Sequence, residues 1–412
     1  MSEPLTPSPK DHTSADPKWS DDQFLDRLRG STDDDANATV AQLRQHGGDL
    51  GAVNRTFVHF HALDQALPDE APQALRDFAI RHEELCKACD VEPDAVNLGG
   101  QVFLRWAYPA AVVMLASSLP SGYSAPALSR VLTISDDLAS HPYRRLLAVI
   151  QLLINVSCQG HGEREKHDDA EVSALKLRLL HAGVRQLVPI HRPDYEARFG
   201  SPVNHEDMLA TIMGFSLLVI DGIKVLGFDM SEEEAEAYWA LWRHFSRLMG
   251  IAPAEDWMSD AFVPRTLTDA RAFYHAYQRR WFCHSPEENP DGVRLTDCNR
   301  RMMIDLIPVP LRWLGLGRAP DILMTELLGA HELERLGMKP LTGHHFDKKL
   351  LHFLLRFGHN LEEVGDDFSG LFSATILKGM VRAGMGTITF SIPDSVEALR
   401  DLAEPHRGGG HR

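Results

Sequence analysis

No uninterrupted apolar stretch reaches the roughly 20 residues that a bilayer-crossing helix needs. The longest, residues 213–220 and 107–119, are too short or are broken by Pro109. A transmembrane helix is therefore not expected. A Lys/Arg-rich block is missing too: 58 acidic residues against 42 basic give a net charge of -16, which argues against nucleic acid as a partner. The first 22 residues (MSEPLTPSPKDHTSADPKWSDD) hold no apolar segment, twin arginine or cleavage-site pattern, so a cytoplasmic protein with a loose N-terminal arm is expected. Cysteine is scarce, five in 412 residues. An odd number without a secretory signal reads as reduced thiols rather than a disulfide framework. Alternating β-branched runs are nearly absent, and only residues 387–392 (TITFSI) read as a strand, too little for a sheet. The chain also has no GxGxxG, Walker A loop or GxSxG elbow, which weakens nucleotide-dependent and α/β-hydrolase chemistry.

What is present is helical periodicity from about residue 20 onward, in a chain with 44% hydrophobic residues. That predicts an all-α fold with a large core. Ser231-Glu232-Glu233-Glu234 has the form of a capping box and opens a helix that carries Tyr238, Leu241, Trp242, Phe245 and Met249 before Gly250. Asn204 and Asp207 start another, apolar on nearly every side as far as Gly227. A third is expected over residues 169–188, ended by Pro189. These three should enclose one core. Loops are expected at residues 157–168 and 285–292. The chain divides into an arm (1–22), a single helical domain (23–403) and a flexible tail (404–412). No internal repeat is visible.

At 100° per residue, Leu177, His181, Val184 and Val188 share a stripe, which directs His181 into apolar surroundings. Arg178 and Arg185 flank it on one side, at roughly 60° and 40° on the same count. Two cations beside a buried imidazole call for an anion. Haem would meet both needs, iron taking the neutral imidazole and propionates taking the arginines. Gly183 would let a flat ring or a neighbouring helix come close to the backbone. The commoner arrangement is blander: a core histidine bonded to a carbonyl, with the arginines paired to carboxylates. Spacing alone leaves both readings open.

Other groupings are weaker. Cys86-Lys87-Ala88-Cys89 is followed by Asp90, where covalent haem attachment would need histidine, and no second CxxC completes a zinc site. The pairs His59/His61, His161/His167 and His344/His345 lack the spacing of a metal motif and read as surface or capping residues.

The string from Leu177 to Arg185 (LRLLHAGVR) resembles the RLxHAxVR signature of the latex clearing protein (rubber oxygenase) family, which also includes the membrane-bound oxygenase of mycophenolic acid biosynthesis. Residues 200–208 (GSPVNHEDM) look like its GxPINQEDL segment, with His205 where Gln is usual, and Thr211 and Phe215 fit the helix that follows. Arg144-Arg145-Leu146, Ala237-Tyr238 with Trp242, Gly250-Ile251, residues 292–296, and residues 390–394 (FSIPD) are similar to further family segments in the same order. The resemblance spans about residues 36–403 and is densest over 144–251. It implies a globin-like helical core around haem b with additional flanking helices, His181 as the axial iron ligand, and O2 as co-substrate in oxidative cleavage of carbon-carbon double bonds. Arg178 and Arg185 would hold the porphyrin's charged edge or support its helix, and Arg145 would line the distal side as the catalytic residue.

Two departures narrow that expectation. Ala148 and Val149 stand where the family has lysine and threonine, so neither can supply a sixth ligand nor donate a hydrogen bond to O2. No carboxylate in residues 117–130 matches the family's proposed base. The substrate expected is a small, diffusible, isoprenoid-like alkene or other apolar metabolite rather than latex. Haem-dependent monooxygenation or peroxidation, and a non-catalytic haem sensor or carrier, remain as rival readings. The sequence does not decide the oligomeric state.

Overall fold

The computed structural model describes residues 14–45, 50–89, 91–134, 142–157, 169–307, 309–313, 315–341, and Ile392, Pro393 and Ser395, the side chains of residues 52, 142–147 and 311 excepted. Among the described residues all regular structure is helical, as the periodicity predicts. The capping box forms as expected: Ser231 Oγ accepts from the Glu234 amide at 3.1 Å while the Glu234 carboxylate accepts from the Ser231 amide at 2.8 Å. The helix Glu232–Leu248 that it opens buries Tyr238, Trp239, Leu241, Trp242 and Phe245.

Glu232–Leu248 lies along Pro93–Arg105, and a glycine doublet allows the approach. A methyl group on Gly99 would collide with the Ala237 carbonyl, and one on Gly100 would sit 2.5 Å from the Ser157 carbonyl. Bulk at either position would push apart the helices packed on both sides of this one.

Ala170–His191 is the central helix. Asp169 caps it by accepting from the Val172 amide at 2.8 Å. One side, with Val172, Leu175, Leu179 and Ala182, packs into a cluster built on Val40, Phe57 and Phe78. Ala170, Ala174 and Leu177 enter the main core. Val184 and Val188 join a third cluster with Tyr195 and Phe199. Pro189 does not end this helix as expected; it lies within the last turn, and the helix runs on to His191. A proline so close to the end gives up only one amide bond before the helix stops in any case.

Three other expectations change. The apolar stretch after Asn204 is two helices, His205–Phe215 and Leu217–Val225, with a non-helical Ser216 (φ -112°, ψ -81°) between them. The Phe215 carbonyl left over at the break accepts from the Tyr238 hydroxyl at 2.9 Å. Taken together, His205–Val225 is long and apolar enough to cross a membrane, contrary to the expectation from run length, but 61% of its most apolar window is buried against the rest of the protein, as in a core helix. The arm does not extend to residue 22: Pro17–Ser20 forms a 3-10 turn, and Trp19 is buried edge-on against Phe24 and Phe273. Burying that indole ties the arm to the Leu267–Trp281 helix.

Of the expected 285–292 loop, Pro286–Glu288 is a 3-10 turn and Asn289 caps a helix starting at Pro290. The strand expected at 387–392, apart from Ile392, lies outside the described residues. So do residues 1–13 of the arm, the 158–168 loop, the 404–412 tail and the pairs His161/His167 and His344/His345.

Candidate functional site

His181 sits at the middle of the central helix. Leu175, Leu179 and Ala182 have no accessible surface, whereas Leu180 and His181 keep some although the helix is enclosed on several sides. Ala148, Val149 and Leu152 are likewise partly accessible on Pro142–Ser157, a helix that packs on the central one. Incompletely covered apolar faces on two packed interior helices are the setting of a small-molecule site.

Burial, with a smaller contribution from Arg185, pushes the His181 imidazole down to about 3. The ring is therefore neutral at physiological pH, the form that binds a metal. Its Nδ1 is enclosed and has no hydrogen-bond partner among the described residues. The blander reading, a core histidine bonded to a carbonyl, is thus not met at Nδ1 among the described residues.

Arg178 follows the blander reading, an arginine paired to a carboxylate. Its Nε and Nη2 reach the two Asp33 carboxylate oxygens at 2.6 and 3.0 Å, its Nη1 donates to His82 Nδ1 at 3.0 Å, and its guanidinium lies 4.8 Å from the Phe78 ring centre. Burial alone would raise the Asp33 carboxyl, but Arg178 outweighs it and holds that carboxyl below the usual range. Since Arg178 can only donate, His82 accepts at Nδ1 and gives its Nε2 proton to the Glu171 carbonyl at 2.8 Å. Burial first, and Arg178 second, bring His82 down to about 3. The anion that the sequence called for is thus Asp33. Arg178 supports the helix of His181; its guanidinium is fully engaged and does not hold a porphyrin edge.

Arg185 is only partly engaged. Its Nε donates to Asn37 at 2.7 Å and its Nη1 to the Val203 carbonyl at 3.1 Å, while the buried Nη2 has no partner among the described residues. Burial lowers this guanidinium to about 10. Gly183 is used as a point of close approach, but by neither ring nor helix: a methyl group there would lie 2.8 Å from Pro393 Cδ. Asn54 brackets Ile392, donating to its carbonyl at 3.1 Å and accepting from its amide at 2.8 Å. Arg44 donates to the Pro393 carbonyl at 2.9 Å.

Ala148 and Val149 form part of the accessible face and bring only apolar side-chain atoms to it. Arg145 lies on the same helix, but its side chain is outside the described residues. The same helix carries polar atoms that the sequence reading passed over. Buried Gln151 donates to Asn155 at 2.7 Å, and Asn155 to Ser173 on the central helix at 2.9 Å, leaving Gln151 Oε1 unpartnered. The CxxC cysteines form no disulfide; Cys89 Sγ lies 3.1 Å from His244 Nδ1, and burial pushes the Cys86 thiol well above its ordinary value. Among the described residues no cluster of three metal-ligating side chains occurs.

The first turn of the His205–Phe215 helix carries a second buried polar centre. Arg29 pairs with Asp207 at 2.8 Å and with Glu206 at 3.3 Å, Tyr277 donates to Asp207 at 2.8 Å, and Trp281 to Glu206 at 3.0 Å. Burial raises the Glu206 carboxyl to about 7 against the opposing pull of Arg29 and Arg280. His205 has no exposed surface and neither ring nitrogen has a partner among the described residues; burial brings it down to about 4. A histidine in the sixth position of GSPVNHEDM gave no sign of this, because the pattern is also that of a helix start.

The arrangement is therefore a partly accessible, largely apolar face on two packed helices, carrying one neutral histidine with a nitrogen that is unsatisfied among the described residues. The profile of the family described as ER-bound oxygenase mpaB/B'/rubber oxygenase, catalytic domain, matches residues 69–357, and the chain belongs to that family. It is 26% identical to the rubber oxygenase of Streptomyces sp. (strain K30) over 272 residues, 64% of this chain and 61% of that protein. The match thus spans less than two thirds of the relative. The structure of latex clearing protein LCP in its closed state shares the fold, with a TM-score of 0.68 at 20% identity over 89% of this chain and 95% of that one.

Proposed function

We propose that the chain is a haem b-dependent oxygenase acting on the carbon-carbon double bonds of an apolar, isoprenoid-like molecule, with O2 as co-substrate. His181 carries the proposal: a neutral imidazole with an unsatisfied nitrogen, on an incompletely covered apolar face, in a chain that belongs to an oxygenase family. Haem, when bound, would supply the O2 chemistry. The protein's part is to hold and to exclude. His181 would be the axial ligand, the Arg178–Asp33 pair fixes the pitch of its helix, and Arg185 presents a free N–H on the same side. Ala148, Val149 and Leu152 exclude water and favour an apolar substrate. Arg145 is the proposed polar residue on that helix. A diffusible substrate and a cytoplasmic location complete the proposal.

The apolar pair Ala148 and Val149 favours a second reading, a haem sensor that binds gas without turnover. The two part on O2 uptake: consumption only when an unsaturated terpenoid is present supports the oxygenase, and stable O2 or CO binding without turnover supports the sensor. The haem assignment is tested by the absorption spectrum of haem-supplemented wild type and His181→Ala. A Soret band lost or strongly shifted in the variant is expected; an unchanged band, or a colourless wild type, overturns it.

A further inference from the structure

Three buried polar groups, tied together through Arg185, have nitrogens without a partner among the described residues: His181 Nδ1, Arg185 Nη2, and both ring nitrogens of His205. Arg185 follows His181 by one helical turn, and its Nη1 is bonded to the Val203 carbonyl, two residues before His205. Asp33 and Arg185 act electrostatically on both imidazoles. Val203 has φ +52°, a left-handed conformation that a β-branched residue adopts only when its surroundings impose it. The His205 amide is anchored on the Ser31 carbonyl at 3.0 Å, beside the loop that supplies Asp33. The turn is thus fixed from both ends, by Arg185 at the Val203 carbonyl and by Ser31 at the His205 amide.

The donor and acceptor inventory indicates what fills the gap. With its other nitrogen on a metal, His181 offers an N–H at Nδ1, and Arg185 Nη2 can only donate. A neutral His205 supplies one acceptor. Two donors and one acceptor cannot satisfy one another directly, but a water accepts twice and donates as well. We propose that His205 is a positioning residue for His181, acting through buried water that accepts from His181 Nδ1 and Arg185 Nη2 and donates to the unprotonated His205 nitrogen. The second donor bond of the water and the remaining His205 N–H face the same enclosure. The functional consequence rests on the haem reading above: an accepting partner on the far nitrogen fixes the ring and makes an axial imidazole a stronger donor to iron.

The test compares wild type with His205→Gln, whose amide oxygen can accept from the same water, and His205→Leu, which cannot. In the haem-loaded proteins, competition for haem with an apo-globin and spectroelectrochemical titration are the readouts. Leucine is expected to weaken haem retention about ten- to a hundredfold and to move the midpoint potential to more positive values, and glutamine to restore both. Unchanged retention and potential in His205→Leu, or no rescue by glutamine, overturn the proposal. A haem-free measurement keeps the two readings separate. If His205 merely buries two unsatisfied atoms, leucine raises the urea midpoint of the apo-protein; if the water is present, leucine lowers it and glutamine holds it. A wild type that takes up no haem removes the haem reading, and the urea comparison still decides the water.

Discussion

Asp33→Asn is the most informative single change to the frame around His181. The asparagine oxygen can still accept from the Ala36 amide, as Asp33 does at 3.1 Å, so the start of the Asp34–Gln45 helix is preserved. What disappears is the charge. Arg178 is 4% exposed, and its guanidinium would keep only the more distant Asp35 carboxylate, at 3.8 Å, as a counter-ion, in a site where His82 can offer only one neutral lone pair. Breaking a buried pair by removing one partner costs about 3–5 kcal/mol, because the stranded charge cannot return to water. Against a total stability of about 5–15 kcal/mol that is a large fraction. Urea unfolding of the apo-protein at pH 7.5, followed by far-UV circular dichroism, would read the loss. The double variant Asp33→Asn/Arg178→Met removes the stranded cation and should recover at least half of it, a coupling that a double-mutant cycle isolates. A single-variant loss below about 1 kcal/mol, the range of an exposed pair, would refute the reasoning.

Two further outcomes follow from the same packing. His82 and His205 are neutral in the fold, at about 3 and about 4, but titrate near 6.5 once unfolded. As pH falls below 6.5 the unfolded chain gains protons that the folded one refuses, so each costs about 1.4 kcal/mol of stability per pH unit. The apo-protein should weaken steeply between pH 6.5 and 4.5; a flat urea midpoint over that interval sinks the idea. Gly100→Ala and Gly183→Ala each force a methyl group into occupied space and should cost about 1–3 kcal/mol in urea unfolding. Gly122→Ala, with nothing within 4 Å, is the control expected to be neutral, and equal effects at all three would refute the packing argument.

Local features were legible in the sequence. The capping box at Ser231 and the cap at Asn204 both form, because a cap is settled within four residues. His181 was legible as inward-facing for the same reason, its stripe being a property of one helix. The partner of Arg178 was not: Asp33 lies 145 residues earlier, and no periodicity announces a pairing at that distance. The break at Ser216 was hidden as well. The apolar run is continuous there, and the break is stabilised by the Tyr238 hydroxyl from another helix. His205 was legible only as a residue where the family has another. Its burial depends on the Ser31 and Val203 contacts that the fold supplies.

The Ile392–Pro393 segment that packs on Gly183 has a consequence in time. Its bonds to Asn54 and Arg44 close loops of 338 and 349 residues, the kind of contact that forms late in folding. On the ribosome the helix of His181 can be complete, capped and paired to Asp33 while residue 392 has yet to be added. The back of that helix then stays uncovered during most of synthesis, and the order of assembly leaves an interval in which a guest could enter before the last wall is in place.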